Sequence, residues 1–195
     1  MKKILVIDNY DSFTYNLVHY LEKLTGDTPA VFRNDEIAVE QVNEYDRILI
    51  SPGPGVPVDA GICIDLIRKY SPTKSILGIC LGHQAIGEAF GGRLLNLSNV
   101  FHGVATPVNI YPGNERLFRN LPSSIMAGRY HSWVLSGEQL PRCFEVTCSD
   151  DTGIIMGISH KEYDVRGLQF HPESVLTEHG MEILANWLDL SYGSH

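Results

Sequence analysis

Three short stretches of this 195-residue chain carry groups suited to attacking an amide or ester bond. The first is Gly78-Ile79-Cys80-Leu81-Gly82, where a thiol sits between an apolar run, Ser75 to Ile79, and a helical one, His83 to Phe90, ended by Gly91-Gly92. A nucleophile on such a turn is held strained and exposed, and flanking glycines let other backbone pass close by. The G-x-S-x-G pattern does this for serine; here sulfur replaces oxygen. The helix start just beyond adds positive partial charge, which favours a thiolate nucleophile. Read in isolation, the stretch also fits a small cysteine buried between packing glycines.

A sulfur nucleophile needs a base, an acid to orient that base, and donors for the oxyanion. The second stretch, Gly167-Leu168-Gln169-Phe170-His171-Pro172-Glu173-Ser174, offers the first two at the end of an apolar strand. With the chain extended through Pro172, His171 and Glu173 project to the same side, so the carboxylate can set the imidazole tautomer. Pro172-Glu173 also fits a helix start. His83, three residues after Cys80, is the rival base; it has no adjacent acid, and a structural role against a loop carbonyl is expected. Gln84 stands at i+4 from Cys80 and carries a donor and an acceptor for a polar substrate, or is a solvated helix glutamine.

The third stretch, Ser51-Pro52-Gly53-Pro54-Gly55, directly follows the apolar run Arg47 to Ile50. Its prolines stiffen the loop and its glycines permit close backbone approach. The N–H groups of Gly55 and Leu81 are the expected oxyanion donors. The loop lacks the Gly-Lys-Ser/Thr ending of a phosphate loop, and a plain turn is the alternative.

The elements that must position these groups alternate in the first half. Strands are expected at Lys3 to Ile7, Ala30 to Phe32, Arg47 to Ile50 and Ser75 to Ile79. Helices are marked by Phe13, Leu17, Leu21 and Leu24 and by Ile62, Leu66 and Ile67. This implies an α/β fold with a mainly parallel central sheet flanked by helices. The second half is β-rich: Val104 to Tyr111, Phe144 to Cys148, Gly153 to Ser159 and Val165 to Phe170 imply an added antiparallel section. A helix with Ile183, Leu184, Trp187 and Leu188 closes the chain. Ligands of open parallel sheets bind beyond the carboxyl ends of the strands, where all three stretches fall.

No linker or repeat divides the chain, so residues 1–195 are expected to form one domain. Its formal charge of −8 argues against nucleic acid or an anionic membrane as partner. No apolar run approaches the ~18 residues of a bilayer span. The opening run Met1 to Ile7 is too short for a signal peptide and is interrupted by Asp8. Cys63, Cys80, Cys143 and Cys148 show no metal-finger spacing and fit a reducing cytoplasm; neither metal nor cofactor is expected.

Together, the cysteine turn, His171-Pro172-Glu173 and the Ser51 to Gly55 loop resemble a class I, triad-type glutamine amidotransferase. Asp8 to Phe13, Arg33-Asn34-Asp35, Phe101-His102-Gly103 and Arg129-Tyr130-His131-Ser132 narrow the resemblance. They are similar to the glutaminase component of anthranilate synthase or of aminodeoxychorismate (para-aminobenzoate) synthase. The resemblance implies a flavodoxin-like fold and a Cys80, His171, Glu173 triad acting on L-glutamine through a thioester. Glutamine would touch Gly53, Pro54, Gly55, Gln84, Ser132 and Trp133. Ammonia would pass to a separate chorismate-binding synthase subunit. Val104, where lysine is often found, and Trp133, where leucine is familiar, depart from the family pattern. The competing readings are a free-standing γ-glutamyl hydrolase and a non-catalytic regulatory subunit.

Overall fold

Side chains along a strand point alternately to the two faces of its sheet. In a computed structural model that describes residues 2–98, 100–113 and 115–192, this alternation sorts the core into two layers. The ends of the expected 1–195 unit lie outside these residues. In strand β1 (Ile4–Asp8), Val6 packs into one apolar cluster and Leu5 and Ile7 into the other. Strand β3 (Arg47–Ile50) repeats the division, with Leu49 on the first side and Ile48 and Ile50 on the second. Helices α1 (Thr14–Thr25) and α4 (Gly180–Trp187) cover the first layer through Leu17, Leu21, Leu184 and Trp187. Helices α2 (Cys63–Tyr70) and α3 (Leu81–Ala89) cover the second through Leu66, Ile67, Ala85 and Ile86. Strands buried on both faces read as unbroken apolar runs, and for that reason they are visible in the sequence.

The remaining strands are β2 (Ala30–Arg33), β4 (Ser75–Ile79), β5 (Leu94–Asn96), β6 (Val104–Ile110), β7 (Ser124–Arg129), β8 (Trp133–Leu135), β9 (Phe144–Ser149), β10 (Ile155–His160) and β11 (Val165–Leu168). Nine of the eleven form one sheet in the order β2-β1-β3-β4-β11-β10-β9-β6-β7; β5 and β8 pair separately. From β2 to β11 the neighbours run parallel, and from β11 onward they run antiparallel. The chain passes outward from β1 in both directions, so a crevice opens between the carboxyl ends of β1 and β3. Asn9 bridges it: its N–H donates to Ser51 Oγ at 2.9 Å and its Nδ2 to the Ser51 carbonyl at 2.8 Å.

Strands β5, β7 and β8 go beyond the elements expected from sequence. Strand β7 has the greatest consequence for the site, because the segment after β11 folds against its outer edge. The His171 N–H donates to Gly128 O at 3.1 Å, the Glu178 N–H to Met126 O at 2.9 Å, and the Gly128 N–H to Thr177 Oγ1 at 2.9 Å. An edge whose backbone groups would otherwise stay open is thereby covered. Among the described residues no helix is long and apolar enough to cross a membrane.

Candidate active site

Cys80 joins β4 to α3 with φ 51° and ψ −99°, a positive-φ conformation that costs a non-glycine residue on the order of 1–3 kcal/mol. The two glycines around it make the turn possible by close packing. A Cβ on Gly78 would meet the Gly82 carbonyl at 2.4 Å, and one on Gly82 would meet Ile50 O at 2.4 Å. Helix α3 begins immediately at Leu81, two residues earlier than expected, so the Leu81 N–H is among those left without an intrahelical acceptor. The same turn seats Cys80 beside β11, where its N–H donates to Leu168 O at 2.7 Å. The next residues of that strand exit, Gln169 to His171, thus run alongside the sulfur.

His171 and Glu173 do meet, with Nδ1 2.7 Å from Oε1 and both residues buried. The route differs from the expected extended chain. Pro172 and Glu173 form a turn closed by the Ser174 N–H on His171 O at 3.2 Å, and α4 starts only at Gly180. A turn wins because Pro172 sets φ for its first central position, while the β7 edge holds His171 behind it. Burial opposes the protonated imidazole. The Cys80 side chain and the Glu173 carboxylate more than offset it, and the pKa of His171 is carried up to about 10. With Nδ1 engaged by Glu173, Nε2 is left buried and without a well-formed hydrogen bond, turned to the sulfur. Phe13 and Tyr130 wall the ring, at centroid distances of 5.4 and 4.8 Å. Phe13 thus gives Asp8 to Phe13 an inward role, whereas Tyr10 is exposed and donates to Asp35.

His83 is fully buried, and burial pushes its pKa down to about 3, so it stays neutral. The ring lies against Gly167 of strand β11 rather than against a loop; that backbone partly opposes the effect of burial, although neither nitrogen makes a well-formed hydrogen bond. Gln84 is buried rather than solvated. Its Nε2 donates to Trp133 O at 2.8 Å and to Gln169 Oε1 at 3.2 Å, which leaves its own carbonyl oxygen for a ligand. Gly53 packs beneath Leu81 and beside Asn9; Pro54 and Gly55 are exposed, and Gly55 has φ 75°. Ser132 and Trp133 are half-buried, and the Ser132 carbonyl is taken by the Leu97 N–H at 2.7 Å.

Gln169 is the polar residue that the sequence reading passes over. It is fully buried, and its Nε2 lies 3.6 Å from Cys80 Sγ. Its place two residues before His171 on a strand exit is the available signal. Among the described residues no group of His, Cys, Asp or Glu could hold a metal ion.

A nucleophile turn, a buried imidazole–carboxylate pair and oriented amides at the carboxyl ends of a parallel sheet suit acyl transfer from a small polar amide. The family model for Glutamine amidotransferase class-I matches residues 5–190. The chain is 46% identical over 187 residues to aminodeoxychorismate synthase component 2 of Escherichia coli, covering 95% of this chain and 98% of that one. It is 45% identical over 192 residues to anthranilate synthase component 2 of Pseudomonas aeruginosa, covering 95% and 94%. It is also 45% identical over 193 residues to the bifunctional protein TrpGD of Thermotoga maritima; that match covers 97% of this chain and only 32% of the longer relative. Among solved structures, a Thermoplasma acidophilum protein provisionally described as part of a GMP synthase superposes with a TM-score of 0.86 at 28% identity, covering 97% of this chain and 93% of the other. Fold, site chemistry and relatives agree that the chain belongs to the class-I glutamine amidotransferases.

Proposed function

We propose that the chain is the glutaminase subunit of a chorismate-using synthase and releases ammonia from L-glutamine through a thioester on Cys80. The observation that carries this reading is His171, held by Glu173 at 2.7 Å on one nitrogen and turned to Cys80 with the other. The sulfur attacks the side-chain carbonyl carbon, and the oxyanion is held by the N–H groups of Leu81 and Gly55. As the C–N bond breaks, protonated His171 gives its proton to the leaving nitrogen, which departs as ammonia. The neutral imidazole then takes a proton from water, whose oxygen attacks the thioester carbonyl. The C–S bond breaks, glutamate leaves, and the thiolate–imidazolium pair is restored. Gly53, Pro54 and the free Gln84 oxygen line the glutamine side, and backbone groups of Ser132 and Trp133 face its head group.

Ammonia must reach its acceptor before it is protonated, because ammonium has no lone pair for attack. A partner seated over the mouth of the site meets this need. Exposed apolar side chains follow the carboxyl ends of three strands: Tyr15 (65% exposed) after β1, Val58 (72%) after β3 and Val175 (97%) after β11. They suit a protein surface that shields the site. The test is to mix the purified chain with each chorismate-dependent synthase subunit of the same cell, supply glutamine, and identify the aromatic amine. Glutamine-dependent anthranilate or aminodeoxychorismate that disappears with Cys80→Ser, while added ammonium salts still give product, is the expected result. Brisk glutamyl hydrolysis that stays the same with every synthase subunit, with no aromatic product, would refute the proposal.

A further inference from the structure

We propose that Gln169 is a second hydrogen-bond donor to the Cys80 sulfur, held in its donating orientation by Gln84 and the Trp133 carbonyl. This rests on Cys80 being the nucleophile. The orientation of a primary amide has to be deduced from its neighbours, and here the chain of partners has one fixed end. A backbone carbonyl can only accept. The group that Gln84 presents to Trp133 O at 2.8 Å is therefore its NH2, and that same NH2 faces Gln169 at 3.2 Å. The Gln169 atom facing it must then be the carbonyl oxygen, which turns the Gln169 NH2 toward Cys80 Sγ at 3.6 Å. Reversing either amide would place two donors or two acceptors against each other at a buried position, where unpaired polar groups are costly.

The consequence is chemical. An N–H directed at sulfur favours the anion before attack and favours sulfur again as the leaving group when the thioester is hydrolysed. The relay also connects the nucleophile to β8, the strand that carries the proposed head-group site, because Trp133 O is its far end. The titratable groups around the sulfur are His171 with Glu173 behind it, Asp11 facing the imidazole, and His83 and His131, which burial keeps neutral. Gln169 carries no charge, so its removal changes the sulfur's reactivity without altering the number of titrating groups.

The measurement is the pH dependence of Cys80 alkylation by iodoacetamide in the full chain without glutamine. It is read on the Cys80 peptide by mass spectrometry, because Cys63, Cys143 and Cys148 are also free thiols. In Gln169→Leu the alkylation midpoint should move to higher pH and the rate at neutral pH should fall about tenfold, with a similar fall in kcat and a change in KM within about twofold. Gln169→Glu should be slower still, because a carboxylate then faces the sulfur. Gln84→Leu should shift the midpoint the same way by less, and the double Leu variant should be no slower than Gln169→Leu alone. A wild-type midpoint in folded Gln169→Leu, or in Gln169→Met should the first variant not fold, would overturn the donor role. A wild-type midpoint in Gln84→Leu would overturn the relay. Glutamine turnover that survives Cys80→Ser would instead strike the proposed function, which the alkylation midpoint does not depend on.

Discussion

The two ends of the parallel sheet bury charge in different ways. At the amino ends a cavity of about 740 Å³ opens between Lys3, Leu24, Pro29, Tyr45, Arg47 and Leu190. The arginines beside it each face an acid. Asp189 meets Arg47 at 3.3 Å, Arg116 at 3.4 Å and Arg119 at 3.7 Å, while Arg116 also reaches Asp164 at 2.8 Å. Arg47 Nε and Arg116 Nε are buried without a partner, yet each belongs to a guanidinium already facing an acid. At the carboxyl ends, His171 Nε2 and Glu173 Oε2 are buried and unpartnered beside a strained cysteine. Open volume therefore does not coincide with the proposed reactive end of this sheet. Groups held ready with a free valence do, at the strand ends where the topology divides.

Substitutions at the two ends should separate accordingly. Cys80→Ser should lower glutaminase activity by about 10⁴-fold or more, since triad groups act as a unit; near-normal glutamate release would assign the nucleophile elsewhere. His171→Ala should cost on the order of 10³-fold and Glu173→Ala less, because in the proposed mechanism the acid orients the base and carries no proton. The reverse order in folded proteins would exchange their roles.

Gly82→Ala, which drives a methyl into Ile50 O, should destabilise the fold by roughly 2–4 kcal/mol in denaturant titration. An unchanged midpoint would mean that the turn has more room than the 2.4 Å approach allows. Asp189→Asn, at the amino end, should cost only about 1 kcal/mol and leave glutamine hydrolysis unchanged. Lost activity there would erase the contrast between the ends.

The buried histidines respond to pH in opposite directions. His131 has its pKa pushed down to about 3 by burial and Arg129, and His83 is pushed equally low by burial. Both stabilise the fold fully above the unfolded histidine value of about 6.5, and that contribution is lost as pH falls toward 3. His171, raised to about 10, does the reverse: its contribution is complete below about 6.5 and is lost as pH rises through 10. His131→Asn should flatten the acid side of the stability curve and Glu173→Gln the alkaline side. Urea midpoints measured from pH 4 to 10 would reveal a change on the wrong side.

How much can be read in advance depends on how local each feature is. The Cys80 turn is legible because its requirements, two small residues and a strand–helix change, lie within five positions. Strands β1, β3 and β4 are legible because burial on both faces leaves unbroken apolar runs. Strand β7 is not: Ile125 and Ala127 alternate as a strand should, but Ala127 and Gly128 are weak strand formers. Strand β8, three residues long, carries too little pattern to stand out. The His171–Glu173 pairing is legible too, but the extended path expected for it is not the one the chain takes.

Residue types and short spacings nominated a thiol, an imidazole and a carboxylate from their local settings, and the family resemblance of the motifs together pointed to glutamine chemistry. Tertiary structure decided which nitrogen of His171 faces the sulfur, which amide group of Gln169 does so, and that the edge of β7 holds His171 in place. Those outcomes depend on contacts between residues some 40 to 90 positions apart, such as Gly128 with His171 and Cys80 with Gln169. Only the packed sheet brings such positions within hydrogen-bond range, and only there does burial make the direction of each donor matter.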